Sequence, residues 1–222
     1  MIKVDLHVHT LYSADSLALL HHVEVYAKRR GLSAIAITDH NTIQGALRLR
    51  READLTIIVG EEIRTARGEI IGLFLEERIP SGLPPRETVR LIQEQNGVVC
   101  VPHPVDRFRG SALEPAALQE IHGNVHAIEV LNARSTFGAD NRLAQRLAER
   151  YDLLASGGSD AHHPSEIGRA YVEMPAFHDR DSFLTSLAQG HVRGHLSLPL
   201  VHVASTYARM AKTMREQRLP SR

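Results

Sequence analysis

Short runs rich in apolar residues along this chain end, again and again, on an ionisable or amide side chain. The run at 4–8 delivers His9, 33–38 delivers Asp39 and His40, and 55–59 delivers Gly60-Glu61-Glu62. Further on, 98–101 delivers Pro102-His103-Pro104, 127–131 delivers Asn132, and 153–155 leads into Ser156-Gly157-Gly158-Ser159-Asp160-Ala161-His162. Apolar runs this short, bounded by turn residues, read as buried strands. Between them lie helical patterns: 16–30 with Ser16 as cap and Gly31 as stop, 43–52, a helix ending at Gln95 before Asn96-Gly97, 115–121, 141–151 and 181–189. Residues 63–75 read as a hairpin turning near Arg67-Gly68, and 170–174 as a late strand. Strands alternating with helices imply a mainly parallel sheet. A parallel α/β barrel gathers the carboxyl ends of its strands on one face, where its active site is built. That arrangement would bring His9, His40, Glu62, His103, Asn132, Asp160 and His162 together.

The first run is the most informative in detail. Val4, Leu6 and Val8 alternate with Asp5, His7 and His9, so on a regular strand the carboxylate and both imidazoles share one face. Burying such a face is costly unless something charged satisfies it. Neutral imidazole is a common metal ligand, so a divalent cation would meet that need; for the His-x-His pair alone, a solvated surface strand is the alternative. The candidate ligands are imidazoles and carboxylates from distant parts of the chain, without a thiolate. That set suits zinc, manganese or ferrous iron better than a structural Zn–S site. More donors than one ion needs imply several ions, and clustered ions can clamp a phosphate and activate water. Hydrolysis of a phosphate ester is therefore the expected reaction class.

Composition narrows the alternatives. The 222 residues suit one large domain with a small appendage, and the zero formal net charge provides no global pull towards nucleic acid or membrane. Cys100 is the only cysteine, which excludes an internal disulfide; between valines it reads as an inert core thiol. No apolar run has transmembrane length, and Met1-Ile2-Lys3 leads into a strand rather than a signal peptide, so a cytoplasmic protein is expected.

His7-x-His9-Thr10, Thr38-Asp39-His40, Gly60-x-Glu62-Ile63, Pro102-His103-Pro104 and Gly158-Ser159-Asp160-Ala161-His162 occur in the order seen in the polymerase and histidinol phosphatase (PHP) family, which this chain resembles over roughly 1–195. The resemblance implies a distorted (β/α)7 barrel, placed over 1–198; a composition shift from about Pro199 sets apart a C-terminal helix and basic tail over 199–222. The resemblance also implies a cluster of two or three divalent ions, manganese, zinc or iron. By the same resemblance His7 and His9 would hold the first ion, Glu62 would bridge it to a third, and Asp160 would complete its shell. Asp15, His40 and His162 would surround the second, and His103 would bind the third. Where many members carry another histidine on the hairpin after Glu62, this chain has Glu69.

Some of these residues have plainer readings. Asp15 could simply precede a helix, Glu69 could be a solvated hairpin carboxylate, and Glu61 is expected to be exposed. Glu129 and Asn132 would line the pocket or hold structural hydrogen bonds. Arginines offer phosphate a bidentate fork; Arg107, Arg109, Arg134 and Arg169 all fall on loops or loop edges, with Arg134 and Arg169 the first choices. In the tail, Leu200, Val203, Tyr207, Met210 and Met214 recur at helical spacing, as for a helix resting on the barrel or meeting another subunit, while Arg209, Lys212, Arg215, Arg218 and Arg222 make it basic.

The expectation is a phosphoesterase in which a metal-bound hydroxide attacks a small phosphorylated substrate, a nucleotide or short oligonucleotide. No membrane partner is expected, and a homo-oligomer could form through the C-terminal helix. The alternatives are a histidinol-phosphate phosphatase and a non-catalytic, metal-stabilised binding module.

Overall fold

The computed structural model describes residues 1–106, 110–198 and 201–217, with side chains in the last stretch only at 205–210 and 212–214. Nine strands form one sheet in the order β7-β6-β5-β4-β3-β2-β1-β8-β9. The elements run β1 (Ile2–Val8), α1 (Leu20–Arg29), β2 (Ala34–Ile37), α2 (Gln44–Glu52), β3 (Thr56–Thr65), β4 (Gly68–Leu73), α3 (Pro85–Glu94) and β5 (Val98–Val101). They continue with α4 (Pro115–Ile121), β6 (Ala127–Asn132), α5 (Gly138–Tyr151), β7 (Leu154–Gly158), β8 (Ala170–Met174), α6 (Arg180–Ala188), β9 (His191–Gly194) and α7 (Val201–Gln217).

Strands β1 to β7 are the staves of a distorted α/β barrel. β1-β2-β3 and β5-β6-β7 run parallel, while β4 is inserted antiparallel between β3 and β5. The chain beyond β7 closes the barrel: the Asp160 N–H donates to the His7 carbonyl at 2.7 Å, and the His9 N–H donates to the Ala161 carbonyl at 2.9 Å. Below that seam β1 turns its amino-terminal half to β8, which carries β9 on its far side. The β9 strand was not expected from the sequence. It is short and mostly exposed, and its pairing with β8 defines it rather than any alternation of its own.

Two apolar layers hold the staves. Ile35, Ile37, Val59, Val99, Val101 and Ile128 face outward under the helices, against Val23, Leu49, Ile92 and Ala144. Ala34, Ala36, Ile58, Ile71, Cys100 and Ala127 face inward, and Phe183 and Leu187 of α6 close the barrel floor. Burying each large aliphatic side chain in these layers contributes on the order of 1.5–3 kcal/mol, so the fold does not depend on the polar mouth for its stability. Among the described residues no helix is long and apolar enough to cross a membrane.

The structure corrects three local expectations. Ser16 does not cap α1; its hydroxyl donates to the His162 carbonyl at 2.9 Å, and the helix begins behind an uncapped Leu19. Glu61 is fully buried rather than exposed, accepting the Ile79 N–H at 2.8 Å on the outer side of β3. The strict alternation of β1 also fails, because the register shifts between Asp5 and Val8: Asp5 pairs with Ile35 and Val8 with Ile37, three residues against two. Val4 and Leu6 therefore line the interior while Val8 joins the outer layer. This extra residue leaves Asp5 facing out and re-aims His7 and His9 inward, as a β-bulge beside a site commonly does.

Candidate metal centre

The inward face changes character towards the mouth. Above the apolar floor the staves present His7 from β1, Glu62 from β3, Glu69 from β4 and Glu129 from β6. Segments beyond strand ends add His9, Asp15, His40, His103, Asp160 and His162. Of these ten side chains all are buried except His40, which is partly so. His103 and Asp160 sit at positive φ, 29° and 52°, a cost for non-glycine residues that persists where the surroundings enforce it.

Four donor atoms form the tightest group. His7 Nε2 lies 3.0 Å from His9 Nε2, 3.3 Å from Glu62 Oε2 and 3.6 Å from Asp160 Oδ1. His9 Nε2 lies 3.3 Å from both carboxylate oxygens. A tetrahedral ion with donors at about 2.0–2.2 Å requires donor–donor edges of roughly 3.3–3.6 Å, close to what these atoms span. A second group joins Asp15 to His162 Nε2 at 3.2 Å and to His40 Nε2 at 3.6 Å. In a third, His103 Nε2 stands 2.9 Å from Glu62 Oε1 and 3.8 Å from Glu69 Oε2. Glu62 thus offers one oxygen to the first group and the other to the third.

The surroundings fix which ring nitrogen faces the centre. His7 Nδ1 lies 3.0 Å from the Glu129 carboxylate, which can only accept, so that nitrogen carries the proton. The Ser13 hydroxyl donates to Asp39 at 2.8 Å and is left to accept from His9 Nδ1 at 3.0 Å. His162 Nδ1 donates to the Asp160 carbonyl at 2.9 Å. In each neutral ring the Nε2 lone pair then points at carboxylate oxygens. Acceptor facing acceptor in a buried site is unfavourable unless a cation lies between them, and a second partner on Nδ1 is the usual support of a metal-bound histidine. The residues present therefore fit divalent ions.

Electrostatics agree. Burial opposes charging His7, yet Asp160, Glu129 and Glu62 outweigh it and hold the ring's protonation well above its usual range. His40 is pushed up to about 9, with Glu62 and Asp15 overcoming its burial. Burial and the neighbouring His9 instead drive His162 down to about 3, keeping it a neutral ligand. The Glu69 carboxyl is raised, first by burial and then by Glu62. The excess of negative charge that binds protons here is the same excess that binds metal.

The structure brings all nine of the expected ligands to one mouth. Glu69 is buried and inward-facing rather than a solvated turn residue, and Asp15 faces His40 and His162. Glu129, whose role the sequence left open, accepts from His7 Nδ1, from the His103 N–H at 2.9 Å and from the Asn132 amide at 2.9 Å. Asp39 is not among the donors. It binds the Thr10 N–H and hydroxyl and the Ser13 hydroxyl at 2.6 to 2.8 Å, and so stands behind His9. Neither role has a signature of its own in the sequence, apart from the place of each residue beside a ligand.

Beside the donors lies a cavity of about 750 Å³, lined among others by Asp15, His40, Arg64, Glu69, Arg134, His162, Ser205 and Arg209. Arg134 is one of these. Arg169 is not: it follows Gly168, whose N–H donates to Asp5, so the chain there has already turned away from the mouth towards β8. Arg107 and Arg109 lie outside the described residues.

Helix α7 rests across the mouth, but not on its apolar face. Ala208 is buried, Ser205 and Lys212 are partly buried, and Arg209, itself largely exposed, reaches Asp15 with its guanidinium, whereas Tyr207, Met210 and Met214 are exposed. The rim it covers is carboxylates and carbonyls, which cationic and small side chains satisfy and apolar ones do not. Leu200, Arg218 and Arg222 lie outside the described residues, as do the side chains of Val203 and Arg215.

Comparison with known proteins gives consistent results. A family described as PHP-associated matches residues 138–192. An uncharacterized protein of Methanocaldococcus jannaschii is 38% identical over 156 residues, covering 64% of this chain and 89% of that protein. A two-domain protein of Bacteroides vulgatus containing a predicted PHP-like metal-dependent phosphoesterase superposes with a TM-score of 0.69 at 18% identity, over 93% of this chain and 69% of that one. A lesion-specific endonuclease of Pyrococcus furiosus gives 0.65 at 14% identity, over 86% and 57%. At these identities the two solved structures speak for the fold alone.

Proposed function

This chain belongs to the PHP family, and from that premise we propose that it is a hydrolase of small phosphate esters, of nucleotide size, working with two or three divalent ions. The observation that carries the reading is the aim of the buried histidines. Three rings have their Nδ1 protons committed elsewhere, and their Nε2 atoms converge on shared carboxylates.

His7, His9, Glu62 and Asp160 would hold the first ion, Asp15, His40 and His162 the second, and Glu62, Glu69 and His103 the third. Ions held there would supply a nucleophilic water at neutral pH and would neutralise phosphate oxygens. The chain's own part is to keep the donors in place through Glu129, Ser13 and Asp39, and to orient the ester with Arg134, which is buried at the cavity wall. Manganese, zinc and ferrous iron all suit the nitrogen and oxygen donors. A cavity of about 750 Å³ is of the size that encloses small-molecule ligands. A short oligonucleotide is the second substrate to test, with a lesion-specific endonuclease among the proteins of similar fold as its support.

The test is a panel of nucleoside monophosphates, histidinol phosphate, p-nitrophenyl phosphate and short oligonucleotides, assayed with each metal in turn. Hydrolysis should vanish on thorough chelation while far-UV circular dichroism stays constant, and manganese should restore it. Turnover that survives chelation would overturn the metal-dependent reading. Absence of hydrolysis with every ester and metal would leave the binding-module reading in its place.

A further inference from the structure

We propose that α7 is a phosphate-gripping lid, and that Arg209 closes from above onto the non-bridging oxygens of the same small ester that Arg134 meets from the wall. The proposal rests on the metal-dependent reading of the mouth and adds the substrate's second cationic partner, on a helix the site has so far not used.

Three side chains fasten α7 to the site. Arg134 Nη2 donates to the Ser205 hydroxyl at 2.7 Å. Arg209 Nη2 donates to Asp15 Oδ2 at 2.9 Å. Lys212 Nζ donates to the carbonyls of Leu11 and Ser13 at 2.6 and 2.5 Å, on the loop that also carries Asp15. Helical spacing places Ser205, Ala208, Arg209 and Lys212 on one face, and Ala208 is the buried point of contact. Ser205, Thr206 and Arg209 line the same cavity as Arg134, His40 and His162. The lid therefore forms one wall of the chamber in which an ester would sit.

Charge decides what that wall is for. The Asp15 oxygen that accepts from Arg209 also lies 3.6 Å from His40 Nε2, within the second donor group. A divalent ion drawn to Asp15 weakens that carboxylate's hold on the guanidinium beside it. Arg209 is then available to a second anion, and the cavity it lines together with Arg134 offers space for one. Arg64, 3.6 Å from Glu69, stands in a similar relation to the third group. A wall of arginines facing a metal cluster is complementary to a phosphoryl group, whose oxygens accept bidentate forks. Among the described side chains of α7, polar contacts hold the inward face, with Ala208 as the one buried apolar point.

The test uses the full-length, metal-reconstituted protein with inorganic phosphate as the probe. Isothermal titration should show Arg209→Ala weakening phosphate binding by about 10- to 100-fold, the range of a lost charge-assisted bond, with Arg209→Lys intermediate. Hydrogen exchange across 201–217 should slow on adding phosphate to wild type and not to Arg209→Ala. With p-nitrophenyl phosphate the variant should raise KM more than it lowers kcat. If Arg209 merely neutralises Asp15, its removal will tighten the second metal and leave phosphate affinity unchanged, and that outcome overturns the proposal. Unchanged exchange in wild type overturns the lid. A wild type that binds phosphate through Arg209 yet hydrolyses no ester would refute the catalytic reading and leave the lid standing.

Discussion

Replacing Glu129 with glutamine should damage the first metal site without touching a metal ligand. One oxygen of Glu129 accepts from His7 Nδ1 at 3.0 Å; the other accepts from the His103 N–H and the Asn132 amide, both at 2.9 Å. Glutamine has one acceptor oxygen and one NH2 group, so it cannot serve both sides. If its oxygen faces His103 and Asn132, its NH2 faces His7 Nδ1. That ring must then move its proton to Nε2 and cease to be a ligand. If the oxygen faces His7 instead, the NH2 confronts two buried donors. Either orientation forfeits at least one hydrogen bond to a carboxylate, worth about 1.5–3 kcal/mol, which corresponds to roughly 10- to 150-fold in an equilibrium constant. Loss of a carboxylate behind a metal-bound histidine has an effect of about 10- to 100-fold on affinity, in agreement. Competition titration of Zn²⁺ or Mn²⁺ against a fluorescent chelator would measure it directly. The tightest site of Glu129→Gln should weaken by that factor while far-UV circular dichroism shows the metal-free protein still folded. If Glu129→Gln and Glu129→Ala both bind the first ion as wild type does, His7 is not held by Glu129 in the assigned tautomer, and the reasoning fails.

Three other outcomes follow from the same geometry. Burial raises the Glu61 carboxyl from 4.5 to about 7, so its contribution to stability is complete below about pH 4.5 and lost as pH rises through 7. Glu61→Gln, which can still accept the Ile79 N–H, should match wild type in urea unfolding at pH 4.5 and exceed it by up to about 3 kcal/mol at pH 8.5; equal midpoints at both would contradict the assignment. His7→Ala should abolish hydrolysis and bind one ion fewer by elemental analysis, whereas Glu69→Gln should lose only part of its activity and recover with excess metal; wild-type behaviour of Glu69→Gln at limiting metal would reduce the centre to two ions. Gly158 has no room for a side chain, because a Cβ there would lie 2.3 Å from the His7 Cβ. Gly158→Ala should therefore lower Tm by several degrees and metal affinity with it, while Gly123→Ala, where nothing lies within 4 Å, provides the control.

Most of the donors were legible in the chain, because short-range pattern sets them; Asp15 and Glu69, which end no apolar run, were marked only by the family resemblance. An apolar run ending in His, Asp or Glu marks a strand end, and parallel α/β topology takes all such ends to one side, however far apart they lie in sequence. Histidine and carboxylate without cysteine then suit a divalent ion held by nitrogen and oxygen. What the sequence could not decide were features that depend on partners across the barrel. The one-residue shift in β1 turns Asp5 outward and His7 inward, and a strict period of two hides it. Glu61 and Glu62 are neighbours with opposite fates because they point to opposite sides of β3, one under α3 and its loop, the other into the centre. The roles of Glu129 and Asp39 arise only where strands far apart in sequence place them behind His7 and His9. The apolar spacing of α7 left open whether that face meets the barrel or another subunit, since helical periodicity shows which residues share a face but not what that face will meet; Tyr207, Met210 and Met214 face away from the barrel. The helix meets a polar rim, and Ser205, Arg209 and Lys212 turn towards it because buried carboxylates and carbonyls need donors more than Tyr207, Met210 and Met214 need cover.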